Sequence, residues 1–374
     1  MSNNSLPDIQ IPIDLLPRDK RFGSGPSKVR PEAVANLAEI APTYMGHSHR
    51  QSTVKNMIGR LRSDMTELFG LPDGYEVALG NGGTNALWDA LLFGFIEKKS
   101  QHLSFGEFSA KFAKQVAKAP FLDAPDVRTT TPDTHPEVDA REGIDTYALT
   151  QNETSSGVMM EILRPEGQGL VTVDATSAAG GLRIDPTQFD VYYFSPQKCF
   201  ASDGGLWIAA LSPAAVERID SIAATDRWIP ESINIKTALE NSRANTTYNT
   251  PALATIFLTV DQVEWILENG GLEWAASRCE KSSQIVYSWA ENSKYATPYV
   301  AKPDDRSSVT CTVNLDAAVN FEDVVKVLNN NGISGTDPYR KLGENQLRIA
   351  TFPAIEPDDL EALTKCIDYV VEKL

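Results

Sequence analysis

The chain has 374 residues, 42% hydrophobic and 22% charged, the proportions of a globular protein with at least one large core. Its 34 basic and 50 acidic residues leave a net charge of −16, which disfavours nucleic acid and anionic membranes as partners but not a small anion in a local basic pocket. No apolar run approaches the ~20 residues of a membrane helix, residues 1–20 carry no basic and then apolar leader pattern, and Cys199, Cys279, Cys311 and Cys366 form no CxxC pair. A reduced, cytoplasmic protein without metal is the expectation.

Helical spacing of Val54, Met57, Ile58, Leu61, Met65 and Leu68 predicts a helix before the Pro72-Asp73-Gly74 turn. Short strands follow at Tyr75–Leu79, Gln101–Phe105, Thr146–Leu149, Leu170–Asp174, Tyr192–Phe194 and Trp207–Leu211, with an apolar helix over Thr84–Ile96. Strands interleaved with helices predict an α/β fold with a mostly parallel sheet. The stretch from Pro120 to Asp145, rich in Pro, Thr and Asp, reads as an irregular connection. A long helix is marked by Leu253, Ile256, Phe257, Val260, Val263 and Leu267 and stopped by Gly270-Gly271. Beyond it a strand (Val309–Leu315), a helix (Phe321–Asn329), a strand (Gln346–Thr351) and a last helix with Pro357 in its first turn form a second, smaller unit. The expected division is a large domain over 20–265 and a small C-terminal α/β domain over 266–374, with residues 1–19 packed against the latter.

Four features carry chemistry. A strand ending at Gly80 feeds Asn81-Gly82-Gly83-Thr84 and then a helix, and a bare helix N-terminus behind glycines suits a phosphate. The spacing is neither GxGxxG nor a Walker loop, so a purely structural turn stays open. The apolar strand Leu170–Val173 ends in Asp174, where open α/β sheets bind ligands, although a helix cap reads equally well there. Lys198 follows Tyr192-Tyr193-Phe194-Ser195-Pro196-Gln197; desolvation there would lower its pKa and free the neutral amine a Schiff base needs. Ser202-Asp203-Gly204-Gly205 then turns the chain into a returning strand. A phosphate cradle, an acid and a lysine are together the anchors of pyridoxal 5'-phosphate.

Further runs make the resemblance specific: Phe22-Gly23-Ser24-Gly25-Pro26-Ser27-Lys28, His49-Arg50, Asn152-Glu153-Thr154, Ser195-Pro196-Gln197-Lys198 and Tyr248-Asn249-Thr250. In order and over nearly the whole chain they resemble the phosphoserine aminotransferases, class V pyridoxal-phosphate enzymes, in their actinobacterial form. The resemblance implies fold type I, with a seven-stranded large sheet. It implies that Lys198 binds the cofactor aldehyde and moves protons, that Asp174 pairs with the ring nitrogen, and that Gly83, Thr84 and Gln197 hold the phosphate. Thr154 would meet the ring's phenolic oxygen and Phe105 would stack on the ring. Asn249 and Thr250 would reach the phosphate of a neighbouring subunit, making the enzyme a homodimer.

On the substrate side the resemblance implies Arg348 for the α-carboxylate and His49 and Arg50 for the distal phosphate or carboxylate, with Arg340 and Lys341 assisting. Asn85 stands where many relatives carry an arginine, so Lys28 or Lys341 is a candidate replacement. The implied substrates are glutamate, 3-phosphohydroxypyruvate and O-phosphoserine, in serine biosynthesis, and the related phosphohydroxythreonine of pyridoxal phosphate synthesis. Competing readings are an alanine–glyoxylate type aminotransferase, a cysteine desulfurase (opposed by the strand-like setting of Cys311), a catalytically silent cofactor-binding protein and a nicotinamide dehydrogenase, which the missing GxGxxG opposes.

Overall fold

Residues 8–374 are described by the structure, a computed structural model. Residues 1–7, part of the stretch read for a leader and of the 1–19 segment, lie outside them. The strands of the large sheet are β1 (Glu76–Asn81), β2 (Ser100–Ser104), β3 (Asp126–Thr129), β4 (Thr146–Thr150), β7 (Leu170–Asp174), β8 (Val191–Phe194) and β9 (Leu206–Leu211), with β5 (Asn152–Glu153) and β6 (Val158–Met159) forming a separate small hairpin. Their order is β1-β9-β8-β7-β4-β2-β3. All are parallel except β9, which runs antiparallel to both neighbours.

The sheet is covered on both faces, which is why its strands read as continuous apolar runs. Along β8, Tyr192 and Phe194 enter one core cluster while Val191 and Tyr193 enter the other. Along β9, Leu206, Ile208 and Ala210 alternate with Trp207, Ala209 and Leu211 in the same way. One face is covered by α2 (Ser52–Leu68) and α7 (Leu253–Glu268), the other by α3 (Thr84–Gly94), α5 (Pro213–Ala223) and α6 (Ile235–Arg243). The remaining helices are α1 (Pro31–Tyr44), α4 (Glu107–Val116), α8 (Gly271–Asn292), α9 (Phe321–Asn330) and α10 (Pro357–Lys373).

A second, antiparallel sheet orders β10 (Ala296–Pro298), β11 (Thr310–Leu315) and β12 (Gln346–Ala350); α8 packs on β10 and β11, and α10 packs on α8 and α9. Gly270-Gly271 do break the chain, with φ of 119° and 71°, but α8 begins at once. Residues 8–19 lie against α10 and the end of α9: the Ile11 amide donates to Asn331, the Arg18 amide to Asp359 and the Cys366 thiol to the Leu15 carbonyl. The stretch expected to be irregular contains the edge strand β3.

Candidate active site

The parallel strands β1, β2, β4, β7 and β8 all end on one edge of the sheet, and the loops there surround a cavity of about 510 Å³. Lys198, Asp174, Gly83, Thr84, Thr154 and Gln197 all line it.

Proline cannot extend a ladder, so β8 stops before Ser195-Pro196 and the chain turns. Ser195 Oγ donates to the Leu206 carbonyl at 2.6 Å and ties the turn to the returning β9. Lys198 projects from this turn and donates its amine to the Ser24 carbonyl. The run Phe22–Lys28 crosses above it, with the Ser27 amide donating to the Gln197 carbonyl at 2.7 Å. Burial, and next the positive charge of Arg348, push the Lys198 amine down to about 8, while Cys199, Asp174 and Glu153 oppose them.

Asp174 ends β7 next to Thr150 of β4 and Tyr193 of β8. Its Oδ1 accepts from the Thr176 amide (2.9 Å) and hydroxyl (2.6 Å), and its Oδ2 from Trp88 Nε1–H (3.1 Å). These donors are all neutral. Burial therefore pushes the carboxyl up to about 6, against the Thr176 and Trp88 hydrogen bonds and with added repulsion from Glu153. A buried carboxylate without a cation on hand is suited to receive one.

The phosphate-like corner is the start of α3. Gly82 has φ +99°, and no side chain caps the helix at Gly83, so its first amides are available to an anion. Thr84 and Thr176 share a hydroxyl hydrogen bond at 2.8 Å, linking this corner to Asp174. Gln197 Oε1 and Asn152 Oδ1 are buried without a partner among the described residues.

The aromatic wall differs from expectation. Phe105 does not line the cavity; it is buried in the core, its ring 6.1 Å from that of His135. Phe108, three residues on, lines it instead. The reason is local: β2 ends at Ser104, and Phe105 and Gly106 make an extended link before α4, whose first turn carries Phe108 to the opening. The Glu153 carboxylate caps that turn, accepting from the Ser109 amide and hydroxyl (both 2.9 Å) and from the Phe108 amide (3.4 Å).

Arg348, on β12, is not itself in the lining but is tied to it through Thr154. Its Nη1 donates to the Thr154 carbonyl at 3.0 Å, and its guanidinium lies 5.3 Å from the centre of the Tyr339 ring. Its Nε is buried and unpaired, so the fork keeps donor capacity. The other candidates are not brought to this cavity. His49 is buried and meets Thr250 Oγ1 at 3.2 Å, with Arg50 exposed beside it. Asn249 and Thr250 are exposed, held by hydrogen bonds to Asn81. Arg340 is exposed and outside the lining. Lys28 pairs with Asp19 at 3.5 Å and Lys341 with Glu107, so neither stands free to replace the arginine missing at Asn85. Sequence reasoning missed Trp88, Thr176 and Phe108; Trp88 was traceable as the residue one helical turn after Thr84.

The fold and this cavity define a class V aminotransferase. The chain matches the aminotransferase class-V family over residues 22–336 and belongs to it. A protein of Mycobacterium leprae is 54% identical over the full length of both chains. The phosphoserine aminotransferase of a Nocardioides species is 52% identical over 98% of this chain and 99% of its own. Among solved structures, a phosphoserine aminotransferase from Cytophaga hutchinsonii superposes with a TM-score of 0.86 at 24% identity, over 93% of this chain and 98% of that one, which carries the fold.

Proposed function

We propose that the protein is a pyridoxal 5'-phosphate-dependent phosphoserine transaminase of serine biosynthesis. It moves an amino group reversibly from L-glutamate to 3-phosphohydroxypyruvate, giving 2-oxoglutarate and O-phospho-L-serine. The carrying observation is that one cavity joins a lysine amine held down to about 8, a buried carboxylate with no cation and an uncapped helix start. Those three sites fit the aldehyde, ring nitrogen and phosphate of the cofactor.

Bound there, the cofactor supplies an electron-accepting ring and a carbonyl that takes up the amino group. The Asp174 carboxylate would pair with the ring nitrogen and keep it protonated. The first amides of α3 at Gly83 and Thr84, with the Gln197 amide, receive the phosphate. The Thr154 hydroxyl, which donates to Ser177 Oγ at 2.7 Å, would turn to the phenolic oxygen, and the Phe108 ring would cover the mouth. The Lys198 amine, with about a tenth deprotonated at pH 7 for a pKa of about 8, would take the proton from the substrate α-carbon at Nζ and return it. Arg348 receives the α-carboxylate with its fork, steadied by Tyr339 and the Thr154 carbonyl.

The distal phosphate or carboxylate needs a further cation. His49, buried, and Arg50, exposed, stay with Thr250, and this exposed corner with Asn249 and Thr250 would reach the cavity of a second copy in a homodimer. A cytoplasmic location belongs to the same reading, supported by four unpaired cysteines. The division of the chain near residue 265 is also part of it, although residue 265 lies inside α7: α7 packs on α1, α2 and α8, and after Gly270-Gly271 α8 packs on α10, β10 and β11. A coupled assay tests the function. Release of 2-oxoglutarate beyond one equivalent per site should require both glutamate and 3-phosphohydroxypyruvate; equal turnover with glyoxylate in place of the phosphorylated acceptor would overturn the assignment.

A further inference from the structure

The indole N–H of Trp88 faces two acceptors at once: Asp174 Oδ2 at 3.1 Å and the Tyr193 hydroxyl at 3.1 Å. One hydrogen cannot serve both fully. All three groups are held in place. Trp88 is buried on α3, its ring stacked on Phe112 with centroids 5.6 Å apart and planes 11° apart. Asp174 and Tyr193 are direct partners on the neighbouring strands β7 and β8. Indole rotation is blocked, so the hydrogen stays shared.

We propose that Trp88 is a positioning residue that keeps Asp174 ionised for the cofactor's ring nitrogen, and that Tyr193 tunes it by competing for the same hydrogen. The inference rests on the cofactor reading above. A hydrogen bond donated to a carboxylate favours its charged form, and dividing the donor weakens that effect. The other charged or titratable groups acting on Asp174 are Glu153 and Lys198, of opposite sign to one another, together with the Tyr193 phenol. Thr176 adds two fixed, neutral donors. Asp174 already sits near 6 through burial, so a small change in its donors moves its ionisation within the working pH range.

Two substitutions separate tuning from a merely structural role, because their signs differ. Trp88→Phe removes the donor and should raise the Asp174 pKa. Tyr193→Phe removes only the competing acceptor, giving Asp174 the whole hydrogen, and should lower it. The experiment titrates cofactor-free protein with pyridoxal phosphate between pH 5 and 8, reading the dissociation constant by absorbance. Wild-type affinity should fall as pH drops through about 6. The fall should move up by about one pH unit in Trp88→Phe, the size expected for one lost hydrogen bond, and down in Tyr193→Phe. Shifts in the same direction, or none, would overturn the proposal while leaving the cofactor reading intact. Wild-type protein that binds no pyridoxal phosphate would overturn that reading and this inference with it. Tyr193→Phe deletes a single oxygen and carries the sign alone if Trp88→Phe does not fold.

Discussion

Lys198 gives its amine hydrogen bond to the backbone of Ser24, a residue 174 positions earlier in the chain. The contact exists because Gly25 has no side chain: a Cβ there would stand 2.1 Å from Nζ and 2.4 Å from Cε. Gly25 also has φ +143°, which L-residues rarely adopt. Gly25→Ala should therefore displace the amine. An error of about 1 Å at a reacting group costs on the order of 100-fold in rate, so kcat should fall by about that factor. Steady-state kinetics at saturating substrates check this, and an unchanged kcat would remove the Ser24 crossing from the account.

Lys198→Ala should abolish transamination and leave the far-UV circular dichroism unchanged. The side chain makes one hydrogen bond and its burial is unfavourable to its charge, so little stability depends on it. Turnover close to wild type would show that another group moves the proton.

Asp174 sets a sign on stability against pH. Its folded pKa, about 6, lies above its ordinary 3.8, so the folded state binds the proton more tightly than the unfolded chain. The contribution is fully present below about pH 4 and is lost as pH rises through 6. In cofactor-free protein at pH 7, Asp174→Asn should therefore be stabilising by up to about 3 kcal/mol, a figure that converts the shift at 1.36 kcal/mol per unit. The gain should vanish near pH 4. Urea unfolding at the two pH values reads it, and a destabilised variant at pH 7 would show that the carboxylate has a cationic partner.

Placement of His49 with Thr250 rather than with Lys198 makes a shared site testable. Arg50→Ala should weaken 3-phosphohydroxypyruvate and glutamate while leaving cofactor affinity unchanged. Mixing it with Lys198→Ala should restore activity, since each hybrid dimer holds one site with neither defect. Random reassociation puts half the dimers in that form, or about a quarter of wild-type activity. Mixtures that stay inactive would show that Arg50 serves the Lys198 of its own chain and would contradict the shared site.

Much of this site is legible from the chain because it sits where strands stop. Asp174 and Lys198 each close an apolar run, and a buried parallel strand writes such a run plainly. The return of β9 is legible as well, because Gly204-Gly205 turn the chain back and β9 pairs antiparallel with β8; its second pairing, with β1, is not written in the local sequence. β3 escapes notice because an edge strand half in water carries polar residues, as Asp126 and Arg128 do. Phe105 and Phe108 are chemically alike and three residues apart. What separates them is the extended link at Gly106, where a side chain would strike Glu153 at 2.2 Å, so the choice belongs to packing. Trp88 falls one helical turn after Thr84, but that face reads as core, and its N–H gains a role only with Asp174 beneath it.

The visible spectrum of the protein loaded with pyridoxal phosphate, before and after O-phospho-L-serine, tests the central claim most directly, with alanine as the control. The account predicts a yellow band from the lysine-bound cofactor that is lost with O-phosphoserine or glutamate and persists with alanine. A protein that stays colourless after loading, or one bleached by alanine and indifferent to O-phosphoserine, would contradict it.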